Sequence, residues 1–495
     1  MMRQISCRVL GLLGLSLVLL AIWQIQATTQ GLTITPVTAV PPLTIVRPTG
    51  AQDRPVVLIG HGLAGSRLLM RGFTLTLAHA GYTVVAWDFD GHGANPQPLS
   101  PETDSASLIA NAEFALAEAR ARGLVTSGQV AILGHSMGSG VALIFGQDHP
   151  ETAATIAISP VDRKVTPDLP RNLLLMAGSL EAPFVRNARE RLSEAGGPGG
   201  DPAAGTARQL RIISGVEHMS ILFTPASHAA ARDWLDATFG PQQGSWQYTD
   251  WRLVWYSVGL LGCLLTAWTL ASLTFSASRM EAPPPDHAPG HPSWQRLIAL
   301  VLGALGATLT LWAAGKAGAP LRDLLGLLVG GYLLLWFGIA GTLGLLLLRV
   351  RPSRPSRRAA WGGALAFATL WLGVGWLGQM VWLPWLLIRQ RLQLWPLGAL
   401  LLLPWFLAVG EVTRRVNVRG QVGGWLAHNV ILIGGLWLGM RSSADLGFIG
   451  LILPLFPAVL GLHVLAALPY RDKWPFALSG AAFVSWLLLT VFPLG

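Results

Sequence analysis

Charged residues and cysteines are both scarce in this sequence. Only 12% of the 495 residues are charged, whereas soluble domains carry roughly 25%. The scarcity is uneven, because residues 28–250 have an ordinary soluble mixture and residues 251–495 are long apolar runs. Short arginine-rich or proline-rich segments separate these runs. The composition therefore predicts a soluble domain followed by a membrane domain.

The two cysteines lie in different surroundings. Cys7 stands beside one apolar segment and Cys263 within another. This pattern excludes a disulfide framework and a cysteine-based metal site. We expect no bound metal and no cofactor.

The chain is basic, with 35 lysines and arginines against 25 acidic residues and a formal net charge of +10. A basic chain can bind nucleic acid, but here the positive side chains cluster in short loops between apolar runs. Such placement is typical of the cytoplasmic loops of membrane proteins. We therefore expect a lipid bilayer as partner and no nucleic acid. The clusters are Arg349, Arg351, Arg354, Arg357 and Arg358, then Arg414, Arg415 and Arg419.

The first 27 residues have the pattern of a targeting segment. Arg3 and Arg8 precede an apolar run at 9–23, which fits a cleaved signal peptide or an uncleaved signal anchor. Cleavage after Ala27 would put the bulky Ile25 where a small residue is needed, which favours the anchor. Either interpretation sends the following domain across the membrane.

Eight further apolar segments are long enough, or nearly so, to cross a hydrocarbon core, which needs about 20 residues. If the N-terminus lies inside, the basic loops 349–360, 411–424 and 469–474 also lie inside. We therefore predict a polytopic domain at 246–495. Domain 28–245 then lies outside the cytoplasm, on the periplasmic side of a bacterial inner membrane. The predicted spans are 253–275, 296–314, 324–348, 361–383, 393–410, 425–440, 446–468 and 475–493.

Domain 28–245 alternates short apolar runs with helical stretches. The short runs are typical of buried strands, and their alternation with helices predicts a parallel sheet covered on both faces, an α/β fold. The gap between the fourth and fifth runs is too short to hold a lid domain, so we expect an open site. The six runs are 55–60, 83–88, 129–134, 154–159, 172–178 and 209–214.

The third run leads into Gly134-His135-Ser136-Met137-Gly138 and then into an apolar helical stretch. A serine between two glycines at a strand-to-helix turn predicts a nucleophile elbow. The tight turn needs small residues two positions from the serine, which Gly134 and Gly138 provide. The turn exposes the Ser136 hydroxyl and gives the Met137 N–H to an oxyanion.

The first run ends in His61-Gly62, and the next residue, Leu63, can supply a second oxyanion N–H. Together with "GHSMG", the stretches "VVLIGHGLAGS" and "WDFDGHG" resemble the α/β-hydrolase superfamily, in particular its lidless, dienelactone-hydrolase-like members. The resemblance covers roughly residues 40–240 and none of the membrane half. It implies that Gly134, His135, Gly138, His61 and Gly62 support the site, and that His61 and His92 are structural rather than metal ligands.

Three histidines follow Ser136 in the soluble domain: His149, His218 and His228. The resemblance implies the order serine, acid, histidine, and it places the base after the last strand, where His218 stands. His149 lies at the end of the elbow helix, and His228 lies inside the next helix. We therefore predict His218 as the general base.

The orienting acid is predicted from the same resemblance. Glu181 follows the next-to-last strand, where the superfamily places its acid, and Asp162 is the alternative. Glu217 is adjacent to His218, so the two side chains point apart, and we expect it to be a solvated loop charge.

These residues predict a membrane-anchored serine hydrolase that cleaves a carboxylic ester or thioester, on lipid or acylated substrates, through an acyl-enzyme. Two alternatives stay open: an acyltransferase with the same triad, and a transporter or receptor carrying an inactive hydrolase domain. Polar residues in the predicted spans are few, chiefly Gln379, His428, Asn429 and His463. We expect the membrane domain to act as an anchor, with transport as the alternative. The sequence gives no oligomeric state.

Overall fold

A computed structural model describes residues 2–100, 105–125, 129–244, 248–275, 293–350, 353–380, 387–413, 418–441, 443, 446–470 and 472–495. The chain divides into two compact units. One comprises Met1–Ala21, Ser257–Leu377 and Trp385–Phe492, and the other comprises Ile22–Tyr256, Gly378–Pro384 and Pro493–Gly495. We refer to them as the helical unit and the hydrolase-fold unit.

The hydrolase-fold unit is built on an eight-stranded sheet of order β1-β2-β4-β3-β5-β6-β7-β8. β1 and β2 form an antiparallel hairpin that joins β4 antiparallel, and all other neighbours are parallel. The strands are β1 (Leu32–Val37), β2 (Leu43–Pro48), β3 (Val56–Gly60), β4 (Thr83–Trp87), β5 (Val130–His135), β6 (Ala154–Ile158), β7 (Leu173–Gly178) and β8 (Arg208–Ile213).

Helices cover both faces of this sheet because its central strands have no polar face. Every residue of β3, β4, β5, β6 and β7 is buried, which is the pattern of parallel strands packed on two sides. One core cluster joins the sheet to α2 and α6, and another joins it to α3 and α4. The helices are α2 (Arg71–His79), α3 (Ala106–Ala121), α4 (Met137–Asp148), α5 (Ala182–Glu194) and α6 (Pro225–Phe239), and α1 (Met2–Ala27) precedes the sheet.

The six predicted strands correspond to β3 through β8. The hairpin of β1 and β2 was not predicted, because these strands are only partly buried and show no continuous apolar run. No helix lies between β6 and β7 in the described segment 159–172, so no lid domain is inserted there. The mostly parallel sheet with two helical layers is the α/β-hydrolase fold that the sequence predicts.

Most of the helical unit consists of long apolar helices. In the described part of the chain, nine helices, including α1, are long and apolar enough to cross a membrane. Those of the second half are α7 (Arg252–Phe275), α8 (Ser293–Lys316), α9 (Gly330–Leu347), α10 (Arg357–Gly378), α11 (Arg389–Thr413), α12 (Val418–Met440), α13 (Ile449–Ile452) with α14 (Phe456–Ala467), and α15 (Lys473–Val491).

Two predicted spans differ from the structure. The span predicted to begin at residue 324 begins at Gly330, because 323–328 form a small hairpin of Asp323–Leu324 and Leu327–Leu328. The span predicted at 446–468 is interrupted by a 3₁₀ turn at Leu453–Leu455, where Pro454 removes a backbone donor. Arg351, Arg414 and Arg415 lie outside the described residues, and so does most of the stretch between the predicted spans 253–275 and 296–314.

Candidate active site

Ser136 stands in a strained turn between β5 and α4. Its backbone has φ 53° and ψ −116°, a left-handed conformation that non-glycine residues adopt only when the surrounding fold enforces it. A Cβ atom at Gly134 would lie 1.9 Å from the Gly138 carbonyl oxygen, and one at Gly138 would lie 2.6 Å from the Gly60 and His61 carbonyl oxygens. The two predicted glycines therefore allow the turn to close, and the Ser136 side chain stays partly exposed.

Ser136, His218 and Glu181 form a continuous series of hydrogen bonds. The Ser136 Oγ lies 3.1 Å from His218 Nε2, and His218 Nδ1 lies 2.8 Å from Glu181 Oε2. With the Nδ1 proton donated to the carboxylate, Nε2 of neutral His218 can accept the serine proton. The structure thus brings together the three residues predicted as nucleophile, base and acid.

The Glu181 carboxylate is held by the loops around it. Its Oε1 accepts hydrogen bonds from the Gly178 N–H at 2.5 Å and from the Ser159 hydroxyl at 2.8 Å. Its side chain is 4% exposed. The alternative acid, Asp162, is instead 79% exposed and pairs with Arg191, so the geometry favours Glu181 over Asp162.

The other histidines considered for the base have different surroundings. His228 is buried and its Nε2–H donates to the Leu222 carbonyl at 2.9 Å. His149 stands at the end of α4, with its ring 3.4 Å from Glu151 and 3.8 Å from Glu113. Neither ring links a serine to a buried carboxylate as the His218 ring does.

Glu217 is an exposed loop charge, as the sequence predicts, and it also makes hydrogen bonds within its loop. Its carboxylate accepts the N–H groups of Met219 and Ser220 at 2.9 Å and 2.7 Å. Partial burial opposes ionisation, but these hydrogen bonds outweigh it and lower the pKa of Glu217. Glu217 therefore shapes the loop that carries His218.

Two neighbours of the site were not predicted from the sequence. The Phe184 ring stacks on the His218 imidazole with centroids 4.3 Å apart and an interplanar angle of 21°. Ser159, at the end of β6, donates to Glu181 as described above. The only signal for Phe184 was its place one turn after Glu181 in α5, and Ser159 had none beyond its place at a strand end.

The predicted oxyanion donors lie beside the serine. A Cβ atom at Gly62 would lie 3.2 Å from Ser136 Cβ and 2.8 Å from His135 Nδ1, so the backbone before Leu63 passes close to the nucleophile. Met137 is the first residue of α4, where backbone N–H groups have no partner within the helix. Leu63 and Met137 therefore lie at the two positions that the sequence predicts for oxyanion donors.

His61 and His135 hold the backbone around Ser136 and His218 in place by hydrogen bonds. His61 Nδ1–H donates to the Gly62 carbonyl at 2.8 Å, and its Nε2 accepts the Phe89 N–H at 3.1 Å. His135 Nε2–H donates to the His218 carbonyl at 3.0 Å. Burial lowers the pKa of His61, and burial together with the nearby His218 lowers the pKa of His135. Both histidines therefore act as neutral hydrogen-bonding residues.

Asp88 and His92, in the segment after β4, also form hydrogen bonds within the protein. Asp88 accepts the Arg67 N–H at 2.7 Å and the Ala94 N–H at 2.8 Å, and it pairs with the Arg67 guanidinium. His92 Nδ1–H donates to the Asp90 carbonyl at 2.7 Å. Among the described residues, no group of three or more His, Cys, Asp or Glu side chains is arranged to hold a metal ion.

Part of the hydrolase-fold unit matches a known protein family. Residues 51–199 match the family described as serine aminopeptidase, S33. The matched segment is part of an α/β-hydrolase enzyme. It contains the elbow and Glu181 and ends before His218. No curated protein matches the sequence.

Several solved structures of hydrolases are similar to this chain at low identity. A dienelactone hydrolase from Anabaena variabilis is 21% identical, with 41% of this chain and 97% of that chain covered and a TM-score of 0.31. A bacterial heroin esterase is 17% identical, with 43% and 86% covered and a TM-score of 0.33. A hormone-sensitive lipase from a metagenome library is 18% identical, with 42% and 84% covered and a TM-score of 0.31. Similarities of this size carry no information about the substrate.

Proposed function

We propose that the protein is a membrane-anchored serine hydrolase that cleaves a carboxylic ester or thioester through an acyl-enzyme. The observation that supports this most strongly is the hydrogen-bonded series of Ser136, His218 and Glu181, with Ser136 in a strained elbow. In this proposal Ser136 is the nucleophile, His218 is the general base and Glu181 orients His218.

The proposed reaction has two steps that share one base. His218 Nε2 takes the Ser136 proton as Oγ bonds to the substrate carbonyl carbon, and the Leu63 and Met137 N–H groups bind the oxyanion. The carbon–oxygen or carbon–sulfur bond then breaks, and the alcohol or thiol leaves with the proton from His218. Water, deprotonated by His218, cleaves the acyl-enzyme to the acid and free Ser136. Loss of one oxyanion donor typically slows such a reaction about 100- to 1,000-fold.

An ester or thioester fits this site better than the N-terminus of a peptide. An aminopeptidase must bind the substrate ammonium group, which calls for a carboxylate with a free oxygen. The two carboxylates beside His218 are already engaged: Glu181 by His218, Ser159 and Gly178, and Glu217 by two backbone N–H groups. Glu181 is therefore committed to orienting His218, and Glu217 to ordering the loop that carries His218, which makes an ammonium-binding role less suited to either.

A hydrolysis assay tests the proposal directly. Purified full-length protein in detergent is offered an acyl ester, an acyl thioester and an aminoacyl anilide. We expect ester or thioester turnover that Ser136→Ala abolishes and that Ser193→Ala, at an exposed serine of α5, leaves unchanged. Turnover of the anilide alone would contradict the ester assignment, and equal turnover by Ser136→Ala would contradict the role of the serine.

We also propose that the hydrolase-fold unit lies on the periplasmic side of a bacterial inner membrane, where lipid or acylated substrates are accessible. The support is twofold: α1 precedes the unit and α7 follows it, both apolar enough to span a membrane, and the basic Arg3 and Arg8 before the first apolar run favour an N-terminus on the inside. With Cys7 and Cys263 replaced by serine, Ser193→Cys should react with an impermeant maleimide in intact cells whose outer membrane is permeable. Ser353→Cys, in a loop between helices, should react only after lysis, and the reverse pattern would contradict the orientation.

A further inference from the structure

Two arginines, Arg71 and Arg252, and one carboxylate, Asp250, lie near one another where the hydrolase-fold unit leads into α7. Arg71 begins α2, and the segment 248–256 carries Asp250 and Arg252. A Cβ atom at Gly72, the neighbour of Arg71, would lie 3.1 Å from Asp250 Oδ2. The end of this unit therefore packs against the first turn of α2.

Arg252 and a tyrosine already occupy the Asp250 carboxylate. Arg252 Nε and Nη2 donate to Asp250 Oδ1 and Oδ2 at 2.8 Å and 2.7 Å, so the pair is bidentate. The Tyr248 hydroxyl lies 3.4 Å from Oδ1. The Arg252 side chain is 2% exposed and that of Asp250 is 4% exposed. This buried pair is neutral as a whole and has little capacity left for a second cation.

Arg71 is the second cation, and the nearby Asp250, already paired with Arg252, balances its charge only in part. Among the described residues, no carboxylate lies within ion-pair distance of its guanidinium. Burial lowers the pKa of Arg71, and the nearby charge of Arg252 lowers it further. An arginine stays charged in proteins, so this half-buried group of two arginines and one carboxylate carries a net positive charge. Such a charge is stabilised when an anion binds it.

We propose that Arg71, backed by Arg252, binds a phosphate group, and that this group belongs to the headgroup of an anionic membrane lipid. Arginine is the residue best suited to phosphate because its planar donors bind two oxygens at once.

The position along the chain favours a lipid as the source of the phosphate. Arg252 is the first residue of a segment, Arg252–Ser272, that is apolar enough to span a membrane. The ends of such spans lie at headgroup level, where tryptophan and tyrosine are enriched. Trp251 is 58% exposed, and Tyr248 and Trp255, close to it in sequence, are partly exposed.

The test measures binding of fluorescent phosphatidylglycerol to the full-length protein in an uncharged detergent. We expect Arg71→Gln to weaken binding about tenfold or more, as expected when a charge-assisted hydrogen bond is lost, and Arg71→Lys to weaken it less. Arg189→Gln, at an exposed arginine of α5, is the matched control and should bind like the wild type. Phosphatidylcholine, which has no net charge, should bind more weakly and respond little to Arg71→Gln.

Two further results decide the proposal. Equal phosphatidylglycerol binding by the wild type and Arg71→Gln would overturn it. Displacement of the lipid by inorganic phosphate, with no preference for phosphatidylglycerol over phosphatidylcholine, would overturn the assignment to a lipid. Arg71→Gln should retain hydrolysis of a soluble ester and should unfold at the wild-type midpoint or above it, because it removes a half-buried charge that the fold compensates only in part. A loss of folding in Arg71→Gln would show a structural role and would overturn the site unless Arg71→Lys folds and binds.

Discussion

The carboxylate of Glu181 makes three hydrogen bonds, to His218, Ser159 and Gly178. Glu181→Gln would place an amide group where His218 Nδ1–H needs an anionic acceptor, and it would favour the wrong tautomer. We predict a loss in kcat of roughly 1,000-fold or more, measured as steady-state ester hydrolysis.

The matched control is the other candidate acid. Asp162→Asn changes an exposed carboxylate that pairs with Arg191, and exposed ion pairs contribute little. We expect its kcat to stay within about twofold of the wild type. A loss as large as that of Glu181→Gln would assign the orienting acid to Asp162.

The Phe184 ring stacks on the imidazole of His218, which links Ser136 to Glu181. Phe184→Ala would remove the surface that fixes the ring plane, and we predict a fall in kcat of about 3- to 10-fold, the range expected from aromatic pairing energies. Phe184→Tyr keeps the ring and should restore most of the rate. If Phe184→Ala changes KM alone, Phe184 contacts the substrate and does not position His218.

At the scale of residues, the sequence predicts the side chains that carry out the chemistry and misses the side chains that support them. Ser136, His218 and Glu181 could be found because the elbow has a motif and the superfamily order places the other two. Phe184 and Ser159 could not be found, because an aromatic ring or a hydroxyl that braces a site is no different in sequence from one that does not. Their roles depend on how α5 and the end of β6 meet in space.

At the scale of elements, the elbow is a tight turn that depends on its two glycines. Gly134→Ala would put a methyl group 1.9 Å from the Gly138 carbonyl oxygen, which cannot be relieved without moving the backbone. We predict loss of ester hydrolysis and a stability loss of about 1–3 kcal/mol, measured by thermal unfolding. Gly140→Ala meets only a Val161 side-chain methyl, at 2.8 Å, and should be milder. Equal effects would mean that the turn tolerates a side chain.

The sequence predicts the elements whose residues follow a single, clear hydrophobic pattern. β3 to β7 are buried along their whole length, so their apolar runs are unmistakable. β1 and β2 are partly exposed and each contains a proline, so no such run exists. The hairpin at 323–328 is missed for the opposite reason, because it is as apolar as a helix. Its turn is set by positive φ values at Leu325 and Gly326, which hydrophobicity does not report.

At the scale of the whole molecule, buried histidines make the hydrolase-fold unit sensitive to acid. Burial lowers the pKa values of His61, His135 and His228 below the ordinary 6.5. Below pH 6.5 the unfolded chain therefore binds more protons than the folded protein, and stability falls as pH falls. We predict a falling thermal unfolding midpoint between about pH 7 and pH 5, with a weaker dependence in His228→Gln. A midpoint that rises or stays flat on acidification would contradict this.

The division of the chain into a hydrolase-fold unit and a helical unit follows from composition alone. Long apolar runs make up the helical unit, whereas the hydrolase-fold unit has the mixed composition of a soluble domain. What the helical unit contributes does not follow, because the polar residues predicted in its spans, His428, Asn429 and His463, are buried within it. The Trp405 Nε1–H, for example, donates to His428 Nε2 at 2.9 Å. An anchor and a transporter can share such contacts.

The central claim is that Ser136 is an activated nucleophile, and a fluorophosphonate probe measures this most directly. The purified full-length protein is labelled in detergent, and the modified peptide is located by mass spectrometry. The account predicts one adduct, on Ser136, that is absent in Ser136→Ala and strongly reduced in His218→Ala. A folded wild-type protein that takes up no probe, or that carries it on another residue, would contradict the account.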